Sequence, residues 1–339
     1  MTLTDIVKKF GIGESIVQPF GTGLINHTWQ VLQAGLHQKY ILQKINTGIF
    51  KSPGAIAFNT RLMADHLKRF HPEYFFISAV TTITGEDMLH TQEGVFRMFP
   101  FVPDSHTIDT VQNPQQAYEA ARAFGKFTKV LAGMEPSQLK ITLPHFHDLD
   151  MRFQKFEEAV QHGNQSRFRK AKKLVDFIYE HRDIADEYHR IQKNKEFRVR
   201  ATHHDTKISN VLFNPGDHCL CVIDLDTVMP GYFISDVGDM IRTYVSAAGE
   251  EEKDFSRMII RNDFLDAILE GYSAEMENEL TTTEKNHFLY AGKFMIYMQA
   301  IRFITDHVND DIYYGAKYEN HNFMRAGNQA ELLRQLVKI

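Results

Sequence analysis

Two neighbouring stretches, Thr202-His-His-Asp-Thr-Lys-Ile-Ser-Asn210 and Val222-Ile-Asp-Leu-Asp-Thr227, decide how this chain is read. Asp205 precedes Asn210 by five residues, and Asp224 follows fourteen residues after Asn210, at the end of an apolar run. A lone aspartate is usually a cap or turn residue, and a lone asparagine usually marks a turn. Together the three have the layout of phosphoryl transfer. One carboxylate orients an acceptor hydroxyl, while an amide and a second carboxylate hold a divalent cation on nucleotide phosphates.

The residue types suit those tasks. Asp205 is the candidate base, a carboxylate that orients the hydroxyl and accepts its proton. Asn210 offers an amide oxygen, a hard neutral ligand for Mg²⁺. Asp224 and Asp226 alternate with Ile223 and Leu225, so on a strand both carboxylates face one side. Two carboxylates held together repel and call for a cation. Asp226 either binds a second cation or fixes a nearby loop. Lys207, two residues after Asp205, is a point charge suited to the transferred phosphoryl group, its alternative being a solvated surface lysine.

The pattern H-x-D-x-x-x-x-N followed by I-D-x-D resembles the aminoglycoside phosphotransferase and choline kinase superfamily. Gly23-Leu-Ile-Asn-His-Thr28, Leu42-Gln-Lys-Ile-Asn46, Ile223-Asp-Leu-Asp-Thr-Val-Met-Pro-Gly231 and Ile301-Arg-Phe-Ile-Thr-Asp306 narrow the resemblance to its N-acetylhexosamine 1-kinase branch. The matching stretches run from about position 20 to about position 325. The resemblance implies an α+β, protein-kinase-like fold of two lobes. Residues 1–101 form a small antiparallel sheet lobe that binds nucleotide, and residues 102–339 a mainly helical lobe for catalysis and substrate. It implies ATP as co-substrate, Mg²⁺ as cofactor, and the anomeric hydroxyl of an N-acetylated hexose as acceptor.

The same resemblance distributes roles. Asp224 takes the metal. Gly21, Thr22 and Gly23 form the loop over the nucleotide, where glycines let backbone approach phosphates; an ordinary hairpin turn is the alternative. Lys44 contacts the phosphates, although relatives outside the branch carry the basic residue directly after the leucine, at Gln43. Kinases pair this lysine with a helix glutamate. Residues 58–70 contain none, leaving a neutral partner such as Asn59. His27, Arg302 and Tyr313 bind the sugar. Their plainer readings are a strand histidine, an i,i+4 pair with Asp306 and a turn aromatic. His203 resembles the histidine that braces the catalytic loop, and His204 stands where many relatives carry glycine. Asp236-Val-Gly-Asp239 resembles the segment that supports that loop.

Composition bounds the alternatives. The 339 residues are 43% hydrophobic and 24% charged, which is globular composition and long enough for two lobes. The net charge of −5 and the absence of a basic stripe argue against a nucleic-acid partner. The two cysteines, Cys219 and Cys221, sit two apart in an apolar stretch and read as free thiols of a reducing compartment. The N-terminal segment reads as neither signal peptide nor membrane span, so a cytoplasmic protein without a membrane partner is expected.

Hydrophobic periodicity predicts strands over 14–20, 27–32, 38–45, 80–84 and 95–101, with a helix over 58–70. Pro100 and Pro103 mark a hinge. Beyond it, helices are predicted over 114–131 and 168–191, and from a capping box at Thr281 and Glu284 through about Val308. Two other functions remain compatible. One is a kinase of choline, ethanolamine, homoserine or an aminoglycoside, with Asp310 and Asp311 near Tyr313 as acidic recognition groups. The other is a nucleotide- or sugar-binding sensor without turnover.

Overall fold

The computed structural model describes residues 1–21, 25–36 and 38–339. A short helix α1 (Leu3–Lys8) leads into strands β1 (Ser15–Pro19), β2 (His27–Gln33) and β3 (Lys39–Ile45). Helix α2 (Pro53–Phe70) follows, then β4 (Leu89–Thr91) and β5 (Gly94–Pro100). The five strands make one antiparallel sheet in the order β1-β2-β3-β5-β4. Its two faces are packed differently. Val31, Leu42, Phe96 and Met98 pack against Ile6, Val7 and Phe10 from the α1 region, whereas Ile45 and Val95 pack with Ile56 of α2.

Residues 80–84 do not form the predicted strand. Val80 alone bridges to Met98, and the chain then turns, with Gly85 donating to the Thr82 carbonyl at 2.9 Å. The polar Thr81 and Thr82 and the left-handed Gly85 favour that turn over a ladder.

The rest is mainly helical: α3 (Pro114–Val130), α4 (Leu149–His162), α5 (Gln165–Glu180) and α6 (Asp183–Lys193). Short strands β6 (Arg200–Thr202), β7 (Val211–Phe213), β8 (Cys219–Val222) and β9 (Met229–Gly231) come next. Then follow α7 (Phe233–Tyr244), α8 (Asn262–Met276), α9 (Thr282–Lys285), α10 (Phe288–Val308) and α11 (His321–Leu336). The architecture is α+β, as expected. One large apolar core joins α3, α7, α8, α10 and α11, and Met63 and Leu67 of α2 belong to it rather than to the sheet.

Two predicted helices are interrupted. The segment 168–191 breaks at His181–Arg182, and Asp183 and Asp186 then supply the acidic first turn of α6. The capping box forms, with Thr281 Oγ1 accepting from the Glu284 amide at 3.0 Å and Glu284 Oε2 accepting from the Thr281 amide at 3.0 Å. It opens only the single turn of α9, because Glu284 is also bound by Arg200 and by the Arg198 amide, and a new helix begins at Phe288. Helix α10 is buried on nearly every face, consistent with its apolar sequence. Among the described residues no helix is long and apolar enough to cross a membrane. Cys219 and Cys221 are free thiols, each pushed up to about 12 by burial.

Candidate active site

The loop between β6 and β7 carries Asp205, Lys207 and Asn210, and its backbone is tied down from α7. The Asp236 carboxylate accepts from the His203 amide at 3.0 Å and from the His204 amide at 2.7 Å. Asp239 accepts from the Thr206 amide at 2.9 Å, and the Thr206 hydroxyl donates to the Asp236 carbonyl at 2.8 Å. His203 is fully buried between Phe124 and Phe127, and its Nε2 lies 3.0 Å from the Ile223 carbonyl oxygen. It thereby joins the loop bearing Asp205 to the one bearing Asp224. His204 sits in the left-handed region at φ 67°, where a side chain is strained and glycine is not.

Asp205 is half-buried. Lys207 Nζ stands 2.9 Å from its Oδ1, and Asn210 Nδ2 donates to its Oδ2 at 3.0 Å and to its carbonyl at 2.8 Å. Burial pushes the Asp205 carboxyl up, but the Lys207 ammonium, with help from His203 and Asn210, outweighs it and holds the group below its ordinary value. Because Asn210 spends its amide hydrogens on Asp205, its Oδ1 is left for a cation.

Asp224 and Asp226 do not share the face of a strand. Strand β8 ends at Val222, Asp224 turns left-handed at φ 58°, and Leu225–Thr227 form a single 3-10 turn. The turn sends the carboxylates apart. Asp224 is exposed and, among the described residues, accepts no hydrogen bond. It is nonetheless ringed by protein, and that burial, with Asp226 beside it, pushes its carboxyl up to about 7. Asp226 is buried, bound by Arg97 and accepting from Asn26 Nδ2 at 2.8 Å.

The fit to Mg²⁺ follows from these donors. Among the described residues no three His, Cys, Asp or Glu side chains gather as a self-sufficient cage. One open carboxylate, Asp224, and one free amide oxygen, Asn210, suit an ion that keeps waters and takes its remaining ligands from phosphates.

The sheet residues divide by strand register. Thr28, Gln43 and Arg97 are cross-strand partners on one face. Gln43 Nε2 donates to Thr28 Oγ1 at 3.3 Å, and Arg97 Nε donates to Gln43 Oε1 at 3.0 Å. This face meets Asp226, two residues from Asp224. Lys44 and His27 are paired with each other on the opposite face. Lys44 lies by the Phe96 ring, 5.9 Å from its centroid, and exposed His27 lies beside Trp29. Neither lies on the face that meets Asp226, so Gln43 takes the inward place expected of Lys44. Asn59 is not paired with Lys44 either. It donates to the Lys140 carbonyl at 2.8 Å and the Val228 carbonyl at 2.9 Å, and accepts from the Lys140 amide. Gly21 has φ 76°, a turn conformation that glycine adopts freely. Thr22 and Gly23 lie outside the described residues.

Arg302 and Tyr313 do come together, at a cavity of about 1110 Å³ that Arg152 and Tyr314 also line. Arg302 is buried and does not pair with Asp306. That carboxylate instead accepts from the Tyr313 amide at 2.7 Å, the Tyr314 amide at 2.9 Å and Asn322 at 3.0 Å. Among the described residues neither Arg302 nor Arg152 has a carboxylate within ion-pair distance, and the Nε of each lacks a partner. Burial pushes the Tyr313 hydroxyl up, but the Arg302 and Arg152 guanidiniums outweigh it and hold the group below its usual value. A wall of rings connects this cavity to the catalytic loop. His204 Nδ1 lies 3.4 Å from His147 Nδ1, Phe146 stacks on His147 at 4.3 Å, and Arg302 lies over Phe146 at 5.7 Å. The sequence reading missed Arg97, His147 and Arg152. Arg97 left a signal, since a lone arginine inside Val-Phe-Arg-Met-Phe implies a buried charge needing a partner.

Residues 16–279 match the phosphotransferase enzyme family (APH). The chain belongs to that family. Solved structures share the fold at low identity. A microcompartment-associated aminopropanol kinase has a TM-score of 0.65 at 12% identity, over 99% of this chain and 95% of that one. A spectinomycin phosphotransferase in complex with ADP and spectinomycin has a TM-score of 0.63 at 12% identity, over 99% and 98%. An ethanolamine kinase from Plasmodium vivax has a TM-score of 0.59 at 13% identity, over 99% and 86%.

Proposed function

We propose that this phosphotransferase is an ATP- and Mg²⁺-dependent kinase of the anomeric hydroxyl of an N-acetylhexosamine or related hexose, yielding a sugar 1-phosphate. Asp205 orients that hydroxyl and takes its proton. The freed oxygen forms a bond to the γ-phosphorus, the bond to the β–γ bridging oxygen breaks, and ADP leaves. Lys207, at the mouth of the loop, neutralises charge on the transferred group. Asp224 and Asn210 would hold Mg²⁺, which when bound draws charge from the phosphates.

The observation that carries the acceptor class is the pair Arg302 and Arg152, which flank Tyr313; Arg302 donates to Gln299 at 3.3 Å and Arg152 to the His145 carbonyl at 3.1 Å, but among the described residues neither has an acidic partner. A buried guanidinium lacking a counter-charge calls for ligand oxygens. Hydroxyl, carbonyl and ring oxygens of a sugar meet that demand, and the tyrosines supply an apolar wall. The aminopropanol kinase, ethanolamine kinase and spectinomycin phosphotransferase of similar fold favour an amino-alcohol or aminoglycoside acceptor instead. Against it, the two acidic groups the sequence offered are engaged, Asp311 by Arg167 and Asn322 and the half-exposed Asp310 by Arg167 and Asn164, whereas Glu158 on the cavity wall has no cationic partner among the described residues.

Phosphorus NMR of products from ATP and Mg²⁺ tests the proposal. The acceptors are N-acetylglucosamine, N-acetylgalactosamine, glucose, galactose, choline, ethanolamine, homoserine and kanamycin, with Asp205→Asn as control. An anomeric sugar phosphate that the control fails to form is expected. Phosphocholine, phosphoethanolamine or a phosphorylated aminoglycoside would discard the sugar reading and keep the kinase. No product from any acceptor would favour a binding-only protein.

A further inference from the structure

We infer that Arg97 and Asp226 form a clasp between sheet and metal loop that stands in for the strand-lysine and helix-glutamate pair of kinases, so that Asp226 positions the loop and does not ligate the cation. The inference rests on the kinase reading of the site. In that chemistry a cation on β3 meets a glutamate on the following helix. Here both places are vacated. Gln43 occupies the inward β3 position, and the buried polar residue of α2, Asn59, is committed to backbone groups of Lys140 and Val228.

The charge has moved one strand over. Arg97 is 4% exposed and Asp226 2% exposed, so the pair is shielded from water and salt. Both ends are braced. Arg97 Nε is held by Gln43, itself held by Thr28. Asp226 Oδ2 is held by Asn26, whose Oδ1 accepts from the Asn46 amide at 3.0 Å. Strands β2, β3 and β5 thus all connect to a residue two positions after Asp224. With one carboxylate oxygen on Arg97 and the other on Asn26, Asp226 has no oxygen free of a protein donor. Asp224 has two. The unlike surroundings separate an anchor from a ligand where the sequence shows only two similar aspartates.

The test combines a thermal double-mutant cycle with Mn²⁺ binding. R97Q and D226N are each expected to lower Tm sharply, because each strands a buried partner, while R97Q/D226N loses clearly less than the sum. Mn²⁺ bound in the presence of ADP is read by electron paramagnetic resonance. In R97Q/D226N its affinity is expected within about threefold of wild type, while kcat falls by about ten- to a hundredfold through misplacement of the loop. D224N is expected to lose Mn²⁺ binding outright. Additive Tm losses would overturn the clasp. So would an R97Q/D226N variant that loses Mn²⁺ as completely as D224N does. Wild-type protein that binds no Mn²⁺ with ADP would instead overturn the kinase reading, and the thermal cycle would still decide the clasp.

Discussion

Lys207 Nζ lies 2.9 Å from Asp205 Oδ1, so the proposed base is paired with a cation two residues further along its own loop. The pairing has a cost and a use. The ammonium lowers the proton affinity of Asp205, which keeps the group ionised, and it stands where charge on a transferred phosphoryl group would collect. Lys207→Met removes both effects. The kcat is expected to fall about 10²-fold, the scale of losing one charge-stabilising donor. The acid limb of the kcat/KM profile is expected to move to higher pH, since burial then raises the Asp205 carboxyl against His203 and Asn210 alone. A pH–rate series on both proteins checks this, and an unmoved limb would remove Lys207 from control of the base.

Arg302 and Arg152 should act on acceptor binding and spare the nucleotide. Arg302→Leu deletes a buried cation that holds no ion pair among the described residues, so no salt bridge described there is lost. Losing one charge-assisted hydrogen bond to a sugar oxygen costs roughly 1.5–3 kcal/mol, or about ten- to a hundredfold in acceptor KM. The KM for ATP should stay within about twofold of wild type. Steady-state kinetics with both substrates varied checks this. A matching rise in ATP KM would place Arg302 on the nucleotide instead.

His204 carries backbone strain at φ 67°, and a pair of substitutions isolates it. His204→Ala and His204→Gly both lose the ring contact with His147, but only alanine keeps the left-handed penalty. The glycine variant should be the more stable of the two by about 1 kcal/mol. Urea unfolding measures the difference. An alanine variant equal to or more stable than the glycine one would show that the backbone relaxes there at no cost.

How much of this was legible in the sequence depended on whether interacting residues lie near one another along the chain. The loop from Asp205 to Asn210 was readable because its groups act within six positions, and the first three strands because few residues separate them along the chain. The interruptions were harder. Glu284 forms its capping box as written, yet its second task of binding Arg200 stops the helix, and that partner is 84 residues away. The choice between Lys44 and Gln43 is a matter of strand register, and a shift of one residue reverses the face. Arg97 and Asp226 are 129 residues apart, so their pairing exists only in the fold. The cavity around Arg302 was half readable. The arginine stood out in an apolar helix, whereas Phe146, His147 and Arg152 reach it from another segment.

Gly238 sits inside the Asp236–Asp239 segment at the crossing of α7 and α10. A methyl group there would overlap the Ala291 carbonyl oxygen and lie 2.9 Å from Met295 Cβ. Backbone cannot rotate away as a side chain can. Gly238→Ala is therefore expected to destabilise the fold by about 1–3 kcal/mol, and to loosen the carboxylates that hold the catalytic loop. A Tm at or above that of wild type would show that the two helices separate freely at this point.

With Asp224 as the proposed cation ligand, its elevated carboxyl predicts cation binding that depends on pH near neutrality. Its group is pushed up to about 7 in the fold, against an ordinary value of 3.8. The ionised form is therefore disfavoured by folding. The penalty is absent below about pH 3.8, grows as pH rises, and is complete above about 7. A cation on the ionised carboxylate relieves it. The rise in Tm produced by Mg²⁺ with ADP, compared with ADP alone, should accordingly be small at pH 5.5 and grow to a plateau above pH 7. Below pH 7 the apparent cation affinity should fall by up to about tenfold per pH unit, because a proton competes for the same oxygen. Asp224→Asn should abolish the Mg²⁺ increment at every pH. Asp226→Asn should retain some of it wherever that variant folds, because Asp226 spends its oxygens on Arg97 and Asn26. A Mg²⁺ increment that is flat from pH 5.5 to 8 would mean that Asp224 is already ionised without the metal, and that the cation is held by other groups.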